Sequence, residues 1–469
     1  MRWLQRRVAA ALYSSAGRPM NDAIDALRNA DLPRVLRALA LGETTSQALT
    51  EACLAAIARD AHLNAWIHVD ADGARAAARA SDARRAAGGA IGRLDGVPLA
   101  LNDNFDAEGM PTSQGLPLRD GLIAFDDSAV AARLRGAGAV LLGKTNMDEA
   151  ALGTSGRNPH YGDVGNPHLP GCASGGSSSG AAAAVAAGHA IAAVGSDTVG
   201  SVRLPATFCG LVGLKPTFGE ISCRGMAPAL RRLDCPGTIT RSVADAALLL
   251  KVMAGYDPGD PYTRARRVPF ATPDWEPGRL KVGLVSGLRG LGASPQVVDA
   301  FRAAVERAGP VLGQAREATL DMNALDISTS RHAALLLMEA EILAAQGQAL
   351  AEGSERLRGL LAYAETRTAA DYVRADRRLD EHVVEFRARF ADIDVLLLPV
   401  APGAPPAAGD DEPGNLADFT ALASLAGCPA LSLPLPGGLG LQLVGPRGSD
   451  LRLIELGEIL QAVLGAEAG

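Results

Sequence analysis

The chain has 469 residues, 48% of them hydrophobic and 21% charged, with a formal net charge of −7 at pH 7. These proportions describe a globular protein with a sizeable core, and the acidic surplus argues against a general nucleic-acid binder, which carries a basic one. The six cysteines contain no C-x-x-C pair, which leaves a disulfide framework or zinc site unsupported, and no apolar run reaches the roughly 18 residues a membrane span needs.

The first residues, MRWLQRRVAAALYSSAGRP, combine arginines with a short apolar patch in the manner of a targeting peptide, and Met20 offers an alternative start. Residues 1–19 are therefore set apart as an N-terminal extension, 20–469 are read as one domain, and a cytoplasmic location is expected. Thr45 is placed to cap a helix whose Leu49, Cys53, Leu54 and Ile57 share a face. The alanine- and arginine-rich stretch 71–89 continues in helix.

Residues 97–101 read as a short buried strand that runs into Asn102, Asp103 and Asn104. Ser128 caps a second helix, which delivers the chain to another apolar run, AVLLGKTN, and Asp148 opens a further helical stretch. Strand, helix, strand is the pattern of a parallel sheet covered by helices on both faces. His160 and His168 lie where they would flank the next loop.

That loop belongs to the most informative stretch, residues 169–217, LPGCASGGSSSGAAAAVAAGHAIAAVGSDTVGSVRLPATFCGLVGLKPT. Gly175 and Gly176 permit backbone conformations that other residues resist, and Ser177, Ser178 and Ser179 put hydroxyls at the mouth of an alanine-rich helix. An apolar run follows and ends in a second turn, Asp197-Thr198-Val199-Gly200-Ser201, whose amides can converge on a developing oxyanion. Two serine-bearing loops thus bracket one helix, a layout suited to a serine hydrolase that uses no histidine.

Beyond it, 210–212 is strand-like, SVADAALLLKVMAGY is helical, and the proline-, glycine- and charge-rich residues 257–277 read as a surface connection. Strand 280–285, helix 294–308, a mostly helical 338–390, strand 394–399 and closing strands and helix complete the chain. The architecture expected is α/β, with a mixed, mostly parallel sheet sandwiched between helices.

With GGSS at 175–178 and DTVGS at 197–201, the chain resembles the amidase signature family, which includes indoleacetamide and mandelamide hydrolases, allophanate hydrolase, fatty acid amide hydrolase and the A subunit of the tRNA-dependent amidotransferase. The likeness covers nearly the whole chain after about residue 20 and implies a single amidase-signature domain. It implies that Ser201 is the nucleophile and that Ser177 is a bridging serine following a cis peptide bond from Gly176, beside the oxyanion hole read from the turn at Thr198, Val199, Gly200 and Ser201. Ser178, Asp197 and Arg203 are supporting residues, the last two bracing the turn.

The third catalytic member of that family is a lysine in the pattern G-V-P-x-x-x-K-D, and here the pattern reads Gly96-Val97-Pro98-Leu99-Ala100-Leu101-Asn102-Asp103. A carboxamide has no proton equilibrium near neutral pH, so Asn102 can orient Ser177 by a hydrogen bond but cannot act as base. The chain's other lysines, Lys144, Lys215, Lys251 and Lys281, offer no replacement in sequence, and Lys144 and Lys215 fall in segments that resemble scaffold. Val199, where many relatives have glycine, is a second and smaller departure.

Three functions are compatible with these residues: an amidase acting on a small linear carboxamide through an acyl-enzyme, a catalytically impaired pseudoenzyme or binding subunit, and an esterase or acyl transferase whose leaving group needs less protonation. A small-molecule amide or ester is the expected partner, with no cofactor, metal, nucleic acid or membrane, and a homodimer is allowed.

Overall fold

The structure is a computed structural model describing residues 17–117, 123–265, 276–312 and 326–465; residues 1–16 of the N-terminal extension and 266–275 of the expected surface connection lie outside it. Ten strands form one sheet: β1 Trp66–Val69, β2 Pro98–Asn102, β3 Val140–Thr145, β4 Ala192–Asp197, β5 Val212–Lys215, β6 Cys235–Thr240, β7 Val282–Leu284, β8 Val395–Pro399, β9 Ala430–Leu435 and β10 Leu439–Val444. Their order is β1-β3-β2-β4-β6-β5-β9-β10-β8-β7.

The α/β class and the mixed sheet are as expected, but the sheet is not mostly parallel. Among the described residues only β2 with β3, β2 with β4 and β7 with β8 pair in parallel. The others, β1 with β3, β4 with β6, β5 with β6 and β9, and β10 with β8 and β9, are antiparallel. The expectation generalised from the helix-covered crossover between β2 and β3, whereas β9 and β10 are joined by a short turn, Pro436–Gly438, too short for anything but an antiparallel hairpin.

Both faces of the central strands are buried, as their uninterrupted apolar character requires. Leu99 and Leu101 of β2, Leu141 of β3 and Val194 of β4 enter one core, while Ala100, Val140, Leu142 and Ala193 enter the other. Side chains alternate between faces along a strand, so these neighbours divide between two helical layers. The second layer contains the alanine-rich helix Ser179–Ala186, whose residues from Ser179 to Val185 are all buried.

Helix starts follow the expected chemistry. Thr45 accepts a hydrogen bond from the amide of Ala48, and Ser128 one from Ala131. The helix expected from Asp148 is reduced to a 3₁₀ turn, Glu149–Ala151, with φ of 54° at Ala150 and 61° at Ala151. Tertiary bonds claim its backbone: the amide of Asp148 donates to the carbonyl of Ser177 and that of Ala150 to Gln114. Among the described residues no helix is long and apolar enough to cross a membrane.

Helix Ser179–Ala186 packs so closely at its first turn that the Gly180 amide donates to the carbonyl of Asn146, at 2.9 Å. A Cβ on Gly180 would stand 2.4 Å from the carbonyl oxygen of Ala65 and 2.5 Å from that of Asn146, both backbone atoms that cannot swing aside. Gly180→Ala is therefore expected to destabilise the protein by about 1–3 kcal/mol through overpacking, read as a lower urea midpoint. An unchanged midpoint would show that the helix can withdraw from β1 and β3 without cost.

Candidate active site

β4 carries the chain into the turn at residues 197–201, and the antiparallel pairing of Asp197 with Cys235 fixes where that turn begins. Asp197 and Arg203 are both fully buried and face each other through two bonds of 2.9 Å, from Arg203 Nε and Nη2 to the two carboxylate oxygens. The remaining guanidinium donors reach the Thr420 carbonyl at 2.9 Å, Gln442 Oε1 at 2.5 Å and Ser424 Oγ at 2.7 Å, and the amide of Val202 donates to Asp197. Burial by itself raises the Asp197 carboxyl, yet Arg203 and the Val202 amide hold it below the usual range. The pair spans the turn from before it to after it.

Gly200 has φ 140°, and a Cβ there would lie 2.1 Å from Thr420 Oγ1, so both the conformation and the space require glycine. Thr420 Oγ1 donates to the carbonyl of Val199 at 2.7 Å. With the carbonyls of Val199, Gly200 and Ser201 engaged, the turn leaves its amides free: among the described residues none of the N–H groups of Thr198, Val199, Gly200 or Ser201 donates to a protein acceptor. Free, fixed amides beside a hydroxyl are the arrangement that stabilises an oxyanion.

The other serine loop meets this turn directly. The peptide between Gly176 and Ser177 is cis. Ser178 joins the two loops, its amide donating to the Ser201 carbonyl at 3.1 Å and its hydroxyl to the Ser196 carbonyl at 3.2 Å. Ser201 and Gly176 both line a cavity of about 580 Å³. Its walls are apolar at Leu152, Leu204, Leu335 and Met338, and an ionic rim is set by Arg331 with Asp418 (2.6 Å) and Arg356 with Glu412 (2.8 Å).

Two expected contacts are missing. The Ser177 hydroxyl is buried and bonds neither Ser201 nor Asn102; it has no hydrogen-bond partner among the described residues. Asn102, fully buried at the end of β2, is occupied elsewhere: its Nδ2 donates to Asn104 Oδ1 at 3.2 Å and its Oδ1 accepts from Thr145 Oγ1 at 3.3 Å. Asn104 in turn donates to Ser196 Oγ at 2.9 Å. The short carboxamide is bonded to Asn104 and to its cross-strand partner Thr145 of β3, not to the serine.

The buried lysines do not fill the gap. Lys144 Nζ donates to the Pro111 carbonyl at 3.0 Å and Thr112 Oγ1 at 3.1 Å and lies 3.6 Å from Asp103 Oδ1; burial lowers its pKa and Asp103 opposes that shift. Lys215 Nζ donates to the carbonyl of Pro216. His160 pairs with Glu149 at 2.6 Å, and neither His160 nor His168 is among the cavity-lining residues.

Several groups around the site carried no functional signal in the sequence. Asp148 is fully buried, accepts from the amides of Gly156 and Arg157, and is pushed up to about 8, first by burial and then by Glu412. Glu412 reaches across to the amide and hydroxyl of Thr154 and to Ser155. Asp234 holds the hydroxyl of Thr198 at 2.6 Å.

The family model for Amidase matches residues 48–454. The chain belongs to the amidase family. It is 36% identical to the glutamyl-tRNA(Gln) amidotransferase A subunit of Streptomyces coelicolor, over 90% of this chain and 94% of that protein. Among solved structures of the family it superimposes, with a TM-score of 0.85, 34% identity and coverage of 92% and 98%, on a chain from a vestigial protein complex described as revealing the evolutionary origins of an s-triazine catabolic enzyme. The native peptide amidase of Stenotrophomonas maltophilia matches with a TM-score of 0.80 and 31% identity, over 93% and 97% of the two chains.

Removing one member of a fully buried ion pair leaves an uncompensated charge, which costs about 3–5 kcal/mol. Arg203→Ala is expected to lose stability in that range, measured by denaturant unfolding at neutral pH. Because Asp197 sits below its usual range, the contribution is present above about pH 4 and fades as the pH falls through the folded pKa. A variant as stable as the parent at pH 7 would remove the pair from the turn's support.

Proposed function

We propose that this family member is an amidase-type serine hydrolase in which Ser201 attacks the carbonyl carbon of a small linear carboxamide. The C–N bond breaks, an acyl-enzyme forms, the amine or ammonia leaves, and water releases the acid. The observation that carries the reading is the set of unengaged amides at residues 198–201, in a turn whose Val199, Gly200 and Ser201 line the cavity. Ser177, following its cis bond from Gly176, is the proposed bridging hydroxyl, with Ser178, Asp197 and Arg203 as supports.

The same geometry argues for impaired amide chemistry. Attack by Ser201 must lose a proton and an expelled amine must gain one, and Asn102 can neither accept nor supply it. An ester expels a better anion and needs less help, so esterase or acyl-transfer activity is the second reading, favoured by the engagement of Asn102 with Asn104 and Thr145. A pseudoenzyme that serves in an assembly is the third. The amidotransferase relatives are named as subunits, which supports a protein partner for this chain as well.

Labelling with a fluorophosphonate probe, followed by mass spectrometry, is expected to place the adduct on Ser201; an unlabelled protein would favour the pseudoenzyme. In a panel of matched amides and activated esters, the esters are expected to turn over faster. Asn102→Lys is expected to raise amide hydrolysis, up to the roughly 10²- to 10⁴-fold that general-base help supplies, provided burial lowers the new amine's pKa. Robust and equal amide turnover by the parent and Asn102→Ala would show that another base operates.

A further inference from the structure

The turn at residues 197–201 is held by Arg203 on Asp197 at its start, Thr420 on the Val199 carbonyl and Ser178 on the Ser201 carbonyl. A further hold comes from the residue that leads into the adjacent strand. Thr198 and Asp234 are the residues flanking the paired positions Asp197 and Cys235 at the end of the β4–β6 ladder. Both are buried, Thr198 Oγ1 donates to Asp234 Oδ1 at 2.6 Å, and Asp234 Oδ2 accepts from the amides of Ala229 and Leu230 at 3.0 Å each.

We propose that Asp234 is a positioning residue which, through the hydroxyl of Thr198, orients the free amides of residues 198–201 toward the substrate oxygen. It touches neither substrate nor Ser201. The inference rests on the hydrolase reading for its catalytic consequence, while the positioning itself does not depend on that reading.

The chemistry favours an ionised Asp234. Two of its three donors are backbone amides, which cannot reverse roles, and a carboxylate accepts all three in short, charge-assisted bonds. Protonation would leave one oxygen as a donor and turn the contact with Thr198 from accepting to donating.

Burial pushes the Asp234 carboxyl up to about 6 against the pull of Thr198 and the two amides, with a smaller push from Glu341 on helix Ile327–Gln346. Glu341 is itself paired with Arg231 at 2.6 Å. The other titratable groups facing Asp234 are the thiols of Cys223 and Cys235, which burial keeps protonated, and beyond Cys223 the carboxylate of Asp260, which accepts the Cys223 amide at 2.8 Å. The ordered, ionised arrangement therefore dominates above about pH 6 and is lost as the pH falls through it.

The test uses full-length protein and the variants Asp234→Asn, Thr198→Val and Thr198→Ser, each first checked for a cooperative thermal transition. Hydrogen exchange of the Ser178 and Leu204 amides, which donate to the Ser201 and Gly200 carbonyls, reads the positioning of the turn without any activity. Exchange there is expected to accelerate about tenfold or more in Asp234→Asn and Thr198→Val, and to return toward the parent rate in Thr198→Ser, which keeps the hydroxyl. On an activated ester, Asp234→Asn and Thr198→Val are each expected to lower kcat about 10- to 10²-fold with little change in KM, as loss of aligned oxyanion donors does. Their double variant is expected to be no worse than either single one, because both break one contact.

The acid limb of the parent's pH–kcat profile is expected near pH 6 and to be absent from Asp234→Asn. Parent-like exchange in both Asp234→Asn and Thr198→Val overturns the proposal. So does a parent-like acid limb in Asp234→Asn. If the parent itself neither turns over ester nor takes the fluorophosphonate on Ser201, the hydrolase reading fails, and the exchange result alone decides the positioning.

Discussion

At the end of β4 two opposite charges without access to water are bonded to each other, Asp197 to Arg203, and the geometry around them depends on that pairing. Taking both from water costs several kcal/mol per ion, and the cost is offset only if every remaining donor finds a partner. Each does, through Thr420, Ser424 and Gln442, which come from a helix and a strand near the end of the chain. The ion pair therefore ties the C-terminal part of the sheet to the turn that carries Ser201.

Around that anchor the polypeptide separates what must be engaged from what must stay free. The Val199 carbonyl is taken by Thr420 and the Thr198 hydroxyl by Asp234, while the neighbouring amides are left open. The Ser178 amide secures the second loop to the first through the carbonyl of Ser201. Fixed dipoles of this kind need no reorganisation when charge develops, which is why they outperform water.

At residue 102 the same economy of partners has a different result. A lysine side chain is long enough to pass its neighbours and carries a proton that burial can make labile. Asparagine ends sooner, and the amide finds Asn104 and Thr145 within reach. Among the described residues the Ser177 hydroxyl is left buried and without a partner, an arrangement that costs free energy.

The sequence by itself determined the α/β class, the positions of the two serine loops, the caps at Thr45 and Ser128 and the exception at Asn102. These depend on local facts: glycine's backbone freedom, a side-chain oxygen three residues before an amide, unbroken apolar runs and residue identity at one place in a motif. Only the tertiary structure decided the mainly antiparallel pairing, the 3₁₀ turn after Asp148, the capture of Asn102 by Thr145, and the partners of Asp234, Thr420 and Glu412. Those outcomes turn on which buried donor meets which acceptor across stretches of chain that nothing local connects. In a packed interior, hydrogen-bond partners are assigned by proximity in the fold, and a helix or strand preference yields wherever its amides are claimed from elsewhere.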